Sequence, residues 1–500
     1  MPENSRLWLS SSWLPIALLT VCIARLWLMP LPSSFWTDET ETALIVQHPA
    51  DPSLAIVRQL TATWYYIFPR AAGRLLGFSE ISYRLPSVLL MGIALFLVGR
   101  LAARLIDPAA AWFAVFACLA ISDFNYYAAD ARPYPLGICM TAATLYFLIQ
   151  WLDTASWNRA FLFVLFAALL WRVHLVFWAF YPVFLICTLV RLASSSTRVG
   201  WIRAFLVYLV LAITLIPVAI EALRALSNGK AHVYAPVPGP RILLDALSWK
   251  WIALCAVLVW LSGQLFKWRF HWPAALADLT LIGAWWLWMP LCLFAFSRMV
   301  GPILMIPRYY SPVLPGAALA GTAAAACYLP RARWKQASLL LAVAGLVAAG
   351  QWNVLWPTHT REDWRQASFD EDLAAQEPDT PVIVVSPFIE AVPPNWSPDY
   401  RLPGFLYAPL LVYPVRGRVY PFPFLRSPEA ERYAADLLSA TLLKRARFIV
   451  YGAGLTGAAW VQWFSNRPEL ASWRYTPAGA RVVDIAVFEN PGSAAAIGLH

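Results

Sequence analysis

Long apolar stretches broken by short polar ones fill the first 356 residues, and the pattern changes after them. Runs near the ~20 residues that a membrane-crossing helix needs fall at 13–31, 85–106, 109–125, 133–152, 159–172, 174–191, 202–221, 249–266, 276–296, 309–329 and 336–356. They predict about eleven spans, with Arg172 and His174 interrupting the stretch 159–191. Arg6 precedes the first run, which is too long for a signal-peptide core and has no small-residue cleavage site; it reads as a retained span. In the loop after it, Asp51-Pro52 makes a helix start, and Leu54, Val57, Leu60, Trp64 and Phe68 follow at helical spacing. They predict an amphipathic helix lying in the interface.

Beyond residue 357 the apolar runs shorten. Val382–Val385, Phe448–Tyr451 and Val482–Phe488 read as strands, with a Pro-rich segment to Pro423 after the first. Ser427-Pro428-Glu429 reads as a helix start, with a cap, a proline and an acid in the first turn. The expected fold is a polytopic α-helical membrane domain over 1–356, with a first outer loop at 32–84, and a small extracytoplasmic α/β domain over 357–500.

Composition supports the membrane reading: 60% of residues are hydrophobic and 13% charged, against roughly a quarter charged in soluble domains. The formal net charge of +10 sits at span ends, in Arg100 and Arg104, Arg191 to Arg203, Lys267 and Arg269, and Arg331 to Lys335. Cytoplasmic loops carry such an excess. An odd span count then puts the N-terminus inside and the C-terminal domain outside. No basic run interleaved with aromatics occurs, so nucleic acid is set aside as a partner. All seven cysteines fall in apolar runs without C-x-x-C spacing, as small buried hydrophobes do.

On this topology the unusual polar residues share one side. Phe35-Trp36-Thr37-Asp38-Glu39-Thr40-Glu41 follows the first span, and Arg84 ends the same loop. Asp38 with Glu41 also resembles a capping box, and capping and catalysis weigh evenly there. The second outer loop carries Asp123, Asp130 and Arg132 with Tyr126, Tyr127 and Tyr134. Arg172 and His174 lie at another outer end, and Arg298 with Arg308-Tyr309-Tyr310 at a later one. A loop over 223–248, with Pro236, Pro238, Gly239 and Pro240, reads as a cover. Ionisable groups at span ends suggest function. In the tail, Gly452-Ala453-Gly454-Leu455-Thr456-Gly457 fits G-x-G-x-x-G, but no strand ending in an acid follows about twenty residues on; a tight turn is the better reading.

Together these residues resemble type C glycosyltransferases, and within them the dolichyl-phosphate-mannose protein mannosyltransferases and their bacterial relatives, including the lipid A aminoarabinose transferases. Phe35-Trp36-Thr37-Asp38-Glu39 resembles that family's acidic first-loop motif, and Leu76 to Ser87 its entry to the second span. Tyr127 to Tyr134 resembles its second outer loop, with Asp130 where Glu is commoner, and Pro307-Arg308-Tyr309 its late outer motif. The family's His-Pro-Pro-Leu segment is replaced by Trp64-Tyr65-Tyr66-Ile67-Phe68-Pro69.

The resemblance implies transfer of a sugar, with inversion, from a polyprenyl-phosphate carrier to a glycan, lipid or protein acceptor at the outer face. Asp38 is then the expected base, and Glu39 its positioning neighbour or a partner of Arg84. Arg84, Arg132 and Arg308 are candidates for the carrier phosphate. Asp130, His174, Tyr134 and Tyr309 are candidates for substrate contact. Asp130 with Asp38 or His174 could hold a divalent cation, Mg²⁺ or Mn²⁺, though no tight ligand spacing supports it. Arginine outnumbers lysine, which favours a bacterial inner membrane and an undecaprenyl carrier. A lipid or sugar transporter, and a polysaccharide polymerase or ligase, are the alternatives; a transporter would show mid-membrane charges and an internal repeat.

Overall fold

The computed structural model describes residues 13–61, 63–228, 237–299, 304–478 and 482–491. Arg6 and Pro236 lie outside the described residues. Contacts divide the chain into a helical unit, Met1–Leu31 with Ala62–Pro357, and a second unit, Pro32–Thr61 with Thr358–His500. The loop 32–84 is therefore shared: its first half, with the acidic motif, packs with the C-terminal residues.

In the helical unit each of the eleven apolar runs forms a helix, but length separates them. Glu80–Leu105, Tyr134–Thr154, Leu175–Ala193, Trp201–Arg224 and Leu276–Met299 are long and apolar enough to cross a membrane. Two further pairs bend sharply at a break: Pro108–Ala120 with Ser122–Ala128 by 81°, and Pro240–Ala246 with Trp249–Leu265 by 58°. Among the described residues five helices, or up to seven if each bent pair is one span, meet that length and composition. Trp13–Leu28 and Trp157–Trp171 are apolar but shorter. The chain is an integral membrane protein of mostly helical fold.

Backbone groups released at a break need partners in an apolar surrounding, and side chains provide them. At the first break Asn125 Nδ2 donates to the carbonyls of Leu119 (2.7 Å) and Ile121 (3.4 Å), while its Oδ1 accepts from Trp27 Nε1 (3.0 Å). At the second, Trp286 Nε1 donates to the Leu247 carbonyl (2.5 Å). Close crossings rest on small residues. A Cβ on Gly345 would meet Ala120 Cα at 3.1 Å, and one on Gly316 would meet the backbone N of Trp286 at 2.8 Å. One set of helix ends is tied by charge. Asp153 accepts from Arg104 (2.7 Å) and Arg191 (2.7 Å), and Arg104 also faces Asp278 (3.7 Å).

The predicted amphipathic helix over 54–68 is displaced. Asp51 does cap a start, accepting from the Ser53 N–H, with Pro52 next. A 3-10 turn, Pro52–Val57, and one helical turn, Arg58–Thr61, follow; Thr63 then starts a new turn by accepting from the Tyr65 N–H. The amphipathic helix is Ile67–Leu76, where Ile67, Leu75 and Leu76 are exposed. Two local caps in succession outcompete one continuous helix.

The second unit carries a five-stranded sheet: β1 Pro381–Val385, β2 Arg418–Phe422, β3 Arg447–Ala453, β4 Arg474–Ala478 and β5 Val483–Glu489. The order is β2-β1-β3-β5-β4, parallel among the first three and antiparallel through β5. The helix Pro428–Ala440 begins as read, Ser427 accepting from the Ala430 N–H. The core is aromatic, with Phe448 stacked on Phe488 at 4.7 Å and Phe422 edge-on to Trp460 at 4.7 Å. Gly452 and Gly457 let β3 and the helix Gly454–Ser465 touch: a Cβ on Gly457 would sit 3.0 Å from Gly452 C. The strands beyond that helix are antiparallel, unlike a dinucleotide fold. The glycines serve packing.

Two predictions follow from these contacts. Arg25 is buried and donates to four carbonyls past the last helix: Gly350 (2.8 Å), Gln351 (3.0 Å), Val354 (2.8 Å) and Leu355 (2.7 Å). Arg25→Ala strands those acceptors at a cost of about 2–4 kcal/mol. The thermal midpoint of the purified protein should fall by several degrees, and less in Arg25→Lys, which keeps three donors. Glu371 is fully buried between Arg416 and Gly417, whose N–H groups it accepts. Burial, opposed by those N–H groups and reinforced by neighbouring Asp372, pushes its carboxyl up to about 7. A raised carboxyl favours the protonated fold. Its contribution is therefore full below the ordinary carboxylate range and lost as pH rises through about 7. Glu371→Gln should remove about 3 kcal/mol of that pH dependence, leaving the variant more stable than the parent at pH 8 in denaturation of the intact protein.

Candidate active site

The acidic motif forms the helix Thr37–Gln47, whose cap residue brings no side-chain acceptor. Trp36 occupies the cap position in extended backbone (φ −89, ψ 173), and its indole cannot accept. Carboxylates replace it. Glu39, third in the helix, accepts from the Trp36 N–H (3.3 Å). Glu362 Oε2 accepts from both the N–H and the hydroxyl of Thr37, each at 2.8 Å. The capping role read for Asp38 with Glu41 therefore falls to Glu39 and Glu362. Asp38 stays partly exposed, while Glu39, Thr40 and Glu41 are buried.

The approach to this helix is held residue by residue. The Pro32 carbonyl accepts from both terminal nitrogens of Arg365 (3.1 Å each). Ser33 Oγ accepts from the His359 N–H (3.1 Å) and Ser34 Oγ from the Arg365 N–H (3.2 Å). The Phe35 N–H donates to the Tyr413 hydroxyl (2.8 Å). His359, Glu362, Arg365 and Tyr413 were not singled out from the sequence. The signal for the first three is that the mostly polar residues 359–365 follow closely on the last apolar run.

The helical unit gathers a second set. Tyr134 and Tyr309 flank the His174 ring, with centroids 5.8 and 5.0 Å away, and Arg308 lies 5.9 Å from the Tyr309 ring. Burial first, then the Arg132 and Arg308 guanidiniums, push His174 down to about 3, so the ring is neutral. Its Nδ1 accepts from the Val176 N–H (3.3 Å). The proton is therefore on Nε2, which suits donation to a ligand oxygen better than metal ligation. Asp130 is fully buried, and its carbonyl accepts from Ser87 Oγ (2.6 Å). Ser87 is one turn beyond Arg84 on the helix Glu80–Leu105. Arg84 is also fully buried and donates to the Leu31 carbonyl (2.8 Å).

Arg132, Tyr134, His174, Arg308 and Tyr309 thus meet in one cluster, with Asp130 two residues along the chain from Arg132. Asp38 and Glu39 belong to the second unit. There a Glu39 carboxylate oxygen and a His359 ring nitrogen lie within 4.8 Å, an oxygen–nitrogen pair able to contribute two ligands to a divalent cation.

Residues 64–221 match the family of dolichyl-phosphate-mannose-protein mannosyltransferases. No curated protein matches the sequence. Two crystal structures of ArnT from Cupriavidus metallidurans, one in the apo state and one bound to undecaprenyl phosphate, each align over 96% of this chain and 98% of that one, at 12% identity and a TM-score of 0.55. The chain is thus similar in fold to ArnT along nearly its whole length, and in sequence to the protein mannosyltransferase family over the stretch that holds Arg84, Asp130, Arg132 and His174.

Proposed function

We propose that the chain is a type C glycosyltransferase of the bacterial inner membrane. It takes a sugar from an undecaprenyl-phosphate carrier and passes it, with inversion, to a hydroxyl of a glycan, lipid or protein at the periplasmic face. The observation that carries this reading is the cluster in which Arg132 and Arg308 lie about His174, Tyr134 and Tyr309, in a chain with the fold of a protein crystallised with undecaprenyl phosphate. Two fixed cations and an N–H donor suit a dianionic phosphate.

In the proposed reaction the acceptor hydroxyl attacks the anomeric carbon from the face opposite the phosphate. A new carbon–oxygen bond forms there as the bond to the phosphate oxygen breaks. The bonding pair leaves with the phosphate, and the hydroxyl proton passes to Asp38. A carboxylate is needed because a neutral hydroxyl is a weak nucleophile. The arginines act mainly late, when phosphate charge is greatest.

Purified protein supplied with a panel of synthetic undecaprenyl-phosphate sugars and a cell-envelope extract as acceptor should release free undecaprenyl phosphate and label the extract. Asp38→Asn should cut turnover at least about 100-fold while still binding undecaprenyl phosphate, and an Asp38→Asn enzyme with parental turnover would remove the base assignment. Arg308→Ala should weaken undecaprenyl phosphate binding by about tenfold or more, read by competition. Movement of intact carrier across a proteoliposome membrane without release would instead identify a transporter.

A further inference from the structure

We infer that Glu362 is a positioning residue for Asp38: it accepts from the first residue of the acidic helix, beside the bond that Glu39 makes from within it. This rests on the reading of Asp38 as base and adds to it a residue far along the chain. The first four N–H groups of a helix have no partner within it, and Trp36 at the cap position offers no acceptor. Glu362 Oε2 holds both polar hydrogens of Thr37, the residue directly before Asp38, and takes a third bond from Trp364 Nε1 (3.3 Å). That third bond fixes the carboxylate in turn.

The charge suits the place, since a carboxylate at a helix N-terminus is stabilised by the aligned peptide dipoles. The surrounding bonds leave little slack. Pro32, Ser33, Ser34 and Phe35 are each hydrogen-bonded to His359, Arg365 or Tyr413. Glu362 extends this series onto the first residue of the helix and so sets the angle at which the helix begins. A base must lie within hydrogen-bond reach of the proton it takes. Rotation of the first turn would move the Asp38 carboxylate while leaving the rest of the helix buried.

The test uses the full-length protein in nanodiscs. Glu362→Ala should lower kcat about 10- to 100-fold with donor KM unchanged, and amide exchange should rise in the peptide covering residues 35–41. Glu362→Gln keeps an oxygen that accepts both Thr37 hydrogens, so it should recover most of the rate and the parental exchange. Thr37→Val combined with Glu362→Ala should lose less than the product of the two single losses, as partners in one contact do. Parental kcat and exchange in Glu362→Ala, or a Gln variant no better than Ala in both, would overturn the inference. Asp38→Asn in the same preparation separates the two readings. If it is inactive while Glu362→Ala is unaffected, only the positioning role falls; if it is fully active, the base assignment falls first.

Discussion

A helix that starts, breaks or ends leaves peptide groups without partners, and an apolar surrounding makes each one costly. The architecture of this chain is organised around answering that cost with specific side chains. Asn125 and Trp286 serve the two breaks in the helical unit. Arg25 gathers the carbonyls past the last helix. Glu39 and Glu362 serve the start of the acidic helix. In each case the side chain also fixes a direction: where a broken helix turns, where the chain leaves the bundle, and where the acidic motif points.

The same constraint explains what could be read from the sequence. Each of the eleven apolar runs marked a helix among the described residues, because burial against lipid or protein needs only composition and length. Breaks were not legible. Neither Ile121 nor Leu247 is a proline or glycine, and their bends depend on Asn125 and on Trp286, the latter 39 residues away from the carbonyl it serves. In the C-terminal unit β1 and β3 were plain, since each is a nearly continuous apolar run. β2 and β4 were missed because Pro421 and Pro477 lie within them. Both are edge strands, where a missing N–H costs no ladder bond.

The candidate site divides along similar lines. Motif spacing pointed to Arg132, Tyr134, His174, Arg308 and Tyr309, which do cluster, because each lies where a helix begins or ends. Asp38 and Glu39 stood out as acids beside an apolar run. What supports them did not, since Glu362 and His359 are surface-type residues in a polar stretch and gain meaning only from the hydrogen bonds they make. G-x-G-x-x-G was the reverse case, a pattern whose glycines are accounted for by Gly452 and Gly457 lying against each other.

Thr37 and Glu362 are 325 residues apart in the chain. At about 5–20 residues per second, a ribosome needs roughly 15–65 s to travel from one to the other. Ten of the eleven apolar runs of the helical unit are made within that interval. The acidic helix is thus among the first segments to be synthesised but waits for residue 362 to gain its partner, and a chain cut short anywhere before that residue would be inserted without it.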